Sequence, residues 1–291
     1  MSGLEEARDA TAPPGVRIAL VGKGGVGKST LSAMLARTIA RAGFDVVAVD
    51  ADEQRNLGAT LGVDPNTMRT VVALAADGDY IEEKTGARPG EGSGVMLRLN
   101  PDTSDVVERL SVVAPDGVRL LVMGGVQRAG GGCLCPETAL LAAAVSDMCL
   151  RDGQVVIMDT HAGVEHFGRA LARGFDRAVV VVEPTFNSVQ VGLDTARLAR
   201  DLDIEAVDLV VNQCRGDLDA DRLRSYVERL GGFDFTSVST VPYDDAARRC
   251  EPSIGTLLDG SPLAQAVREL AATLVGLAID GVEFRAALVD C

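Results

Sequence analysis

A glycine-rich loop with the sequence GKGGVGKST at positions 22–30 constrains the fold of this chain more than any other feature. It follows an apolar run at 17–21 and precedes an alanine- and leucine-rich stretch at 29–41, so the pattern predicts strand, loop and helix in that order. Glycines let backbone N–H groups turn inward around phosphate oxygens, and the helix N-terminus adds a favourable dipole. A turn that binds nothing is the alternative, but the complete motif at this boundary favours a phosphate-binding loop.

Two lysines and a serine carry the predicted chemistry of this loop. Lys28 is placed to reach the β and γ phosphates of a nucleotide, and the Ser29 hydroxyl is placed to ligate a Mg²⁺ ion that bridges them. Lys23 has no role in a simple phosphate loop, so we interpret it as a contact across a subunit boundary rather than as a solvated surface lysine. The predicted nucleotide contacts of the loop are Gly22, Lys23, Gly24, Gly25, Val26, Gly27, Lys28, Ser29 and Thr30.

Short β-branched runs alternate with helix-length stretches along the chain, which is typical of parallel strands joined by crossover helices. The predicted strands are 17–21, 46–50, 120–123, 155–159, 178–182, 208–212 and 238–241, and the predicted helices are 29–41, 136–150, 165–173, 188–202, 220–230 and 262–277. Near-continuous apolar runs such as AVVVVE at 178–183 fit strands that are buried on both faces. We therefore predict an α/β fold with a doubly wound, mostly parallel sheet and helices on both faces.

The chain divides into a polar lead-in and one predicted domain. Residues 1–15 end in Pro-Pro-Gly and are expected to be flexible, and residues 16–291 are expected to form a single domain. The segment 63–119 is longer and more polar than the other connections, so we expect it to be an insertion. It contains Lys84, to which the sequence assigns no role.

Charge and hydropathy exclude several classes of partner. The chain has 28 basic and 42 acidic residues, a net charge of −14 and a pI near 4.6, which disfavours nucleic acids and anionic membranes as ligands. No apolar run approaches the roughly 18 to 20 residues that span a bilayer, and the N-terminus lacks the features of a targeting signal. We therefore expect a cytoplasmic protein that binds neither membrane nor nucleic acid.

Carboxylates follow two of the predicted strands, where an open α/β sheet presents residues to its ligand crevice. Asp52 is placed to orient the water that attacks the γ-phosphate, and Asp50 to support that loop or the metal shell. Asp159 is expected to bind Mg²⁺ directly or through water, with Gly163 allowing the following loop to respond to the γ-phosphate. A helix cap or a turn is the alternative role for Asp50 and for Asp52. The nearby His161 and His166 are not favoured as metal ligands, because residues five positions apart lie on different faces of a helix.

A Cys-x-Cys pair precedes the predicted helix at 136–150. Cys133 and Cys135 lie at its N-terminus, where the helix dipole favours the thiolate form that binds metals. Two thiolates cannot complete a tetrahedral site, but a two-fold dimer would bring four together for Zn²⁺ or Ni²⁺. An exposed dithiol without a ligand and a strained disulfide are the alternatives.

The glycine-rich loop at 22–30 resembles the deviant Walker A motif of the SIMIBI class. This class includes the partition, division-site and nitrogenase iron-protein ATPases. That resemblance assigns Lys23 to the γ-phosphate bound by the other subunit and implies a nucleotide-dependent homodimer. The Asn212-Gln213-Cys214 step and the segment 241–244 resemble the parts that read adenine, which assigns Asn212 and Pro242 to the base and favours ATP over GTP.

Between residues 17 and 258 the chain is similar to the CooC-type ATPases that insert nickel into carbon monoxide dehydrogenase. The motifs that carry this resemblance are MGG at 123–125, GCLCPE at 132–137, AGVEHFGR at 162–169 and EPT at 183–185. The resemblance implies ATP hydrolysis by Lys23, Lys28 and Asp52, Mg²⁺ held by Ser29 and Asp159, and Zn²⁺ or Ni²⁺ held by Cys133 and Cys135 across a dimer. The implied client is carbon monoxide dehydrogenase or another nickel enzyme. His161 and Gln213 depart from the family, which tends to have an acidic residue and a lysine there.

Two other functions remain open at this level. A partition or division-site positioning ATPase needs a basic DNA-binding face or an amphipathic membrane tail, and the acidic C-terminus IDGVEFRAALVDC supplies neither. An iron–sulfur electron donor like the nitrogenase iron protein needs cysteines on two separated loops. Here Cys133 and Cys135 are one residue apart, and Cys149 falls in a predicted helix, where we expect it to be packed.

Overall fold

A computed structural model describes most of the chain. The described residues are 14–88, 98, 100–124, 140–141, 143–145, 147–148, 152–161 and 174–276, with the backbone alone at 217 and 220. They contain eight strands in one sheet, which follow one another from edge to edge as Val112–Val113, Arg119–Val122, Asp45–Ala51, Gln154–Thr160, Val16–Gly22, Arg177–Val182, Ala206–Cys214 and Ser237–Pro242. All neighbouring strands are parallel except the first two in this order, which are antiparallel. The predicted α/β fold with a mostly parallel, doubly wound sheet is confirmed.

The strand predictions are confirmed to within two residues at each end. The strands are β1 Val16–Gly22, β2 Asp45–Ala51, β3 Val112–Val113, β4 Arg119–Val122, β5 Gln154–Thr160, β6 Arg177–Val182, β7 Ala206–Cys214 and β8 Ser237–Pro242. Of these, β3 has no counterpart among the predicted strands, because a two-residue strand is too short to show a pattern.

The long helices also lie where the sequence places them. The helices are α1 Lys28–Arg41, α2 Leu57–Leu61, α3 Pro65–Thr70, α4 Gly78–Thr85, α5 Val106–Leu110, α6 Phe186–Asp201, α7 Asp217–Arg229, α8 Asp245–Arg249 and α9 Pro262–Val275. Of the helix predicted at 136–150, the described residues from 140 to 147 are helical, and the helix predicted at 165–173 lies outside the described residues. The described helices include none long and apolar enough to cross a membrane.

Apolar side chains pack on both faces of the sheet. In β1, Ile18 and Leu20 pack with Met34 of α1 on one face, whereas Ala19 and Val21 belong to the core on the other. The first face is covered by α1, α2 and α9, and the second by α4, α6 and α7. Double coverage explains why the strands are almost continuously apolar.

The segment 63–119 gives Lys84 a structural role. Lys84 Nζ lies 2.8 Å from Asp105 Oδ1 and 5.4 Å from the centroid of the Tyr80 ring. The buried Tyr80 donates a hydrogen bond of 2.8 Å from its hydroxyl to the same carboxylate. Partial burial raises the pKa of Asp105, but hydrogen bonds from Lys84, Tyr80 and Arg109 outweigh it and lower that pKa to about 2. Lys84 therefore ties α4 to α5, away from the glycine-rich loop.

Candidate nucleotide site

The glycine-rich loop joins the carboxyl end of β1 to α1 and requires glycine at two positions. Gly22 has φ of 143°, and a Cβ there would lie 2.3 Å from the carbonyl oxygen of Val181 on the neighbouring β6. Gly27 has φ of 90°, and a Cβ there would lie 2.5 Å from the side-chain nitrogen of Asn212. Both the left-handed backbone and the close approach exclude side chains, so the loop can wrap a ligand with its N–H groups.

Lys28 is the first residue of α1 and closes the loop from inside. Its side chain is buried, and Nζ donates hydrogen bonds of 3.2 Å to the carbonyl of Gly22 and 3.1 Å to that of Lys23. Burial lowers the pKa of Lys28 below its usual value, while the carboxylates of Asp159 and Asp52 oppose that shift. The ammonium therefore lies inside the loop, where the charges of Asp159 and Asp52 act on it.

The side chain of Lys23 has a different environment. It is exposed, and its ammonium makes no hydrogen bond or ion pair with any residue that the structure describes. Only its backbone carbonyl takes part in the loop, as an acceptor from Lys28. Of the two loop lysines, Lys23 is thus the one whose ammonium has no partner among the described residues.

Asp159 is the second-to-last residue of β5 and lies beside α1. It is 1% exposed and accepts a 3.4 Å hydrogen bond from the Ser32 hydroxyl, but its Oδ2 has no partner among the described residues. Burial raises the pKa of Asp159 to about 6, against the opposing effects of the Ser29 hydroxyl and the Lys28 ammonium. A buried carboxylate oxygen without a partner is costly unless a cation satisfies it.

Asp50 anchors the loop that follows β2. Its carboxylate is fully buried and accepts hydrogen bonds from the backbone N–H of Asp52 at 3.2 Å and of Leu57 at 3.1 Å. Burial and the neighbouring Asp159 raise the pKa of Asp50 to about 7. Asp50 therefore supports the loop, which was one of the two roles predicted for it.

Asp52 lies in that loop and is partly accessible. It accepts a 2.9 Å hydrogen bond from the backbone N–H of Gln54 and lines one cavity together with Lys28, Ser29 and His161. The structure thus brings together the phosphate-loop residues and the carboxylates that the sequence singled out. Their roles in binding and hydrolysis remain predictions.

Two adjoining cavities run along the carboxyl edge of the sheet. The phosphate-side cavity has a volume of about 540 Å³, and the base-side cavity one of about 280 Å³. Gly25, Gly27, Thr30, Ala247 and Glu251 line both cavities. The shared residues place the two cavities side by side at the glycine-rich loop, and we refer to them together as the cleft.

The base-side cavity contains Asn212 and Pro242, as predicted from sequence for an adenine site. Asn212 Nδ2 donates a 2.7 Å hydrogen bond to the carbonyl of Val26 in the glycine-rich loop. The apolar walls come from Val241, which belongs to the predicted segment 241–244, and from Leu31, Met34 and Leu263, which sequence reasoning missed. Their helical and strand patterns predicted burial, but nothing local showed that these particular residues meet across three elements. At the rim, Tyr243 has the Arg215 guanidinium 3.8 Å from its ring centroid.

The predicted cysteine site cannot be placed. Cys133, Cys135, Cys149, Gly163 and His166 all lie outside the described residues. Within the described ranges, the structure contains no group of three or more His, Cys, Asp or Glu residues arranged to hold a metal ion.

Comparison with known proteins connects this cleft to a family. A family profile described as the CobQ/CobB/MinD/ParA nucleotide binding domain matches residues 18–253. The carbon monoxide dehydrogenase accessory protein CooC of Rhodospirillum rubrum is 34% identical over 267 residues, covering 92% of this chain and 97% of that protein. This chain belongs to the CooC family. It is a P-loop ATPase, because the matched nucleotide-binding domain and the ATP-binding relatives support that activity.

Other relatives agree with this family and with the fold. An uncharacterized ATP-binding protein of Methanocaldococcus jannaschii is 34% identical over 236 residues, covering 81% of this CooC-family chain and 88% of that protein. The MinC:MinD cell division complex of Aquifex aeolicus has a TM-score of 0.63 at 20% identity, covering 92% of this chain and 99% of that one. MinD complexed with Mg-ADP from Pyrococcus horikoshii also has a TM-score of 0.63, at 18% identity, covering 89% and 95% of the two chains. At these identities the structures show a shared fold.

Proposed function

We propose that this CooC-family ATPase is a metallochaperone that dimerises on ATP and delivers nickel during maturation of carbon monoxide dehydrogenase. The observation that carries the proposal is the 34% identity to a carbon monoxide dehydrogenase accessory protein over nearly the whole of both chains. A septum site-determining protein MinD of Mesostigma viride is matched less well, at 27% identity over 72% of this chain and 65% of that protein. The comparison therefore favours metal-enzyme maturation over positioning in cell division.

The residues of the cleft fit a magnesium ion bound with the nucleotide. The buried Oδ2 of Asp159 has no partner among the described residues, and the Ser29 hydroxyl lies beside this carboxyl group. Hard divalent cations prefer oxygen ligands of this kind. Ser29 and Asp159 are thus the residues proposed to hold Mg²⁺, and a bound ion would supply positive charge that offsets the negative charge of the phosphates during hydrolysis.

Hydrolysis is assigned to groups that surround the phosphate-side cavity. Lys28, already inside the loop, would exchange its two carbonyl contacts for phosphate oxygens and stabilise the charge that develops there. Asp52 would orient the attacking water, and Asp50 would hold Asp52 in place through the backbone hydrogen bond between them. The exposed ammonium of Lys23 would contact the γ-phosphate of the ATP bound by a second copy of the chain. Full activity would therefore require the homodimer.

The cargo site is proposed at Cys133 and Cys135. Four thiolates from two copies would complete the tetrahedral set that Zn²⁺ or Ni²⁺ takes with sulfur ligands. Because each copy supplies only two ligands, metal binding and dimerisation would be linked: whatever stabilises the dimer raises the affinity for metal. ATP bound at Lys23 and Lys28 would provide that stabilisation.

The experiment that tests the proposal is activation of nickel-free carbon monoxide dehydrogenase. The client is incubated anaerobically with limiting Ni²⁺, Mg-ATP and the wild-type chain, and CO oxidation is followed. We expect activation by the wild type, and none by Lys28→Ala or by Cys133→Ser/Cys135→Ser. Lys84→Ala, which removes a lysine outside the cleft, is the matched control and should activate normally. Equal activation with and without the wild-type chain would contradict the proposal.

A further inference from the structure

The carboxyl end of β7 is irregular where it passes the glycine-rich loop. Its register with β8 shifts between Val211 and Cys214, which leaves Asn212 and Gln213 in a bulge. Gln213 has φ of 61°, in the left-handed region that non-glycine residues adopt only at an energetic cost. Bulges redirect side chains and are common beside active sites. Because the backbone of Gln213 is strained, we expect other contacts to stabilise it in this conformation.

The side chains of the bulge are fixed at two separate points. Asn212 Nδ2 donates a 2.7 Å hydrogen bond to the carbonyl of Val26, and Gln213 Nε2 donates one of 2.9 Å to Oε1 of Glu183. The first contact holds the bulge to the glycine-rich loop, and the second holds it to the end of β6. The left-handed backbone of Gln213 lies between these two anchors.

The backbone of Glu183 is held in place by two hydrogen bonds. Its backbone N–H donates a 3.0 Å hydrogen bond to the hydroxyl of the buried Ser188, and its carbonyl accepts one of 2.7 Å from Thr185. Glu183 and Gln213 are both half-buried. A hydrogen bond to a carboxylate in such a place is stronger than one between neutral groups.

Asn212 keeps part of its hydrogen-bonding capacity for a ligand. One Nδ2 hydrogen is used by Val26, which leaves a second Nδ2 hydrogen and the Oδ1 acceptor. A donor and an acceptor on one amide match the N7 and N6 edge of adenine, whereas guanine presents two acceptors, N7 and O6, at that edge. The selectivity of the amide therefore depends on its being held in one orientation.

We propose that Gln213 and Glu183 are positioning residues for base selection: their hydrogen bond holds the bulge so that Asn212 presents its amide to adenine. Gln213 itself lines the base-side cavity, whereas Glu183 does not, so Glu183 acts through Gln213. The inference rests on the proposed assignment of Asn212 to the base, and it gives a function to the glutamine that departs from the family pattern.

The test measures affinity for Mg-ATP and Mg-GTP by calorimetric titration of the full chain, together with steady-state ATPase kinetics. We expect Gln213→Ala and Glu183→Leu each to lower ATP affinity about tenfold, the usual worth of a hydrogen bond to a charged group. GTP affinity should stay within about twofold, as should kcat at saturating ATP, because neither Gln213 nor Glu183 lines the phosphate-side cavity. The double variant should show no further loss, since both changes remove one bond.

Conservative variants separate positioning from general loss of structure. Gln213→Lys can pair with Glu183, and Glu183→Gln keeps an acceptor oxygen, so both should retain the preference for ATP over GTP. Thermal unfolding of each variant monitors the fold. If Gln213→Ala fails to fold, the same test can be made by comparing Gln213→Lys with the double variant Gln213→Lys/Glu183→Leu. Only the double variant should lose the preference for ATP over GTP.

Asn212→Ala distinguishes this inference from the site assignment beneath it. If Asn212→Ala leaves the ATP over GTP preference unchanged, the assignment of Asn212 to the base is wrong and the inference fails with it. If Asn212→Ala abolishes the preference but Gln213→Ala preserves it, or if ATP and GTP affinities fall equally in Gln213→Ala, only the positioning role is overturned.

Discussion

Asp50 and Asp159 lie directly opposite each other on the neighbouring parallel strands β2 and β5, and both side chains are buried. Asp50 is hydrogen-bonded to the following loop, whereas Oδ2 of Asp159 has no partner among the described residues. One strand end thus positions a loop, and the other leaves a buried carboxylate oxygen for the cation that we propose. Two buried acids side by side are costly without a compensating positive charge, which connects the stability of the site to its ligand.

The first prediction concerns pH. Burial raises the pKa of Asp50 from 3.8 to about 7, so the folded state binds a proton that the unfolded state has already lost above pH 4. The stabilisation from this proton is complete below pH 4 and is lost as pH rises through 7. In chelator, the free energy of unfolding by urea should therefore fall between pH 5 and pH 7.5. The fall should be smaller in Asp50→Asn, and an equal fall in both proteins would contradict the assignment.

The second prediction concerns the lysines. Lys28→Ala removes the charge inside the glycine-rich loop together with its contacts to two loop carbonyls, so kcat/KM for ATP should fall by a factor of about one hundred or more. Lys84→Ala breaks the contacts with Asp105 and Tyr80 instead. It should leave ATP hydrolysis within about twofold of wild type. A Lys28→Ala protein that hydrolyses ATP normally would show that the loop is not the catalytic element.

The third prediction compares two glycines with positive φ. Gly22→Ala would place a Cβ 2.3 Å from the carbonyl of Val181, so β1 and β6 would have to separate, at a cost of about 3 kcal/mol or more. Gly43→Ala has no atom within 4 Å of the new Cβ and pays only the backbone cost, about 1 kcal/mol. Urea unfolding of the two variants measures the difference. Equal destabilisation would mean that the approach of Val181 is not limiting.

The fourth prediction concerns a buried ion pair at the opposite end of the strands. Asp208 is fully buried, accepts from Arg177 at 3.0 and 2.8 Å, and accepts from the Ser237 hydroxyl at 2.6 Å. Asp208→Ala leaves the guanidinium without its partner, so unfolding should become easier by about 3 to 5 kcal/mol. KM for ATP should not change, because the nucleotide cleft lies at the carboxyl ends. A changed KM with unchanged stability would contradict this separation.

Sequence reasoning was most successful where the signal is local. The apolar runs that end in Asp50 and Asp159 located strand ends, and parallel packing then required those ends to share one edge of the sheet. The strained conformation of Gln213 and its bond to Glu183 gave no sequence signal, because they join residues 30 positions apart. The apolar wall made by Met34 and Leu263 was missed for the same reason. Short elements such as α8 were missed because five residues carry too little periodicity.

Native mass spectrometry of the anaerobic protein tests the central claim most directly, because it reports oligomeric state and bound metal together. In the presence of Ni²⁺ or Zn²⁺ and a non-hydrolysable ATP analogue, we predict a dimer. Each dimer should carry one Ni²⁺ or Zn²⁺ ion in addition to the Mg²⁺ that is bound with the nucleotides. Without nucleotide, a monomer should dominate. Lys23→Ala should lower the fraction of dimer at equal nucleotide, and Cys133→Ser/Cys135→Ser should dimerise without the extra ion. A dimer that forms equally without nucleotide, or equal metal stoichiometry in wild type and the cysteine variant, would contradict the account.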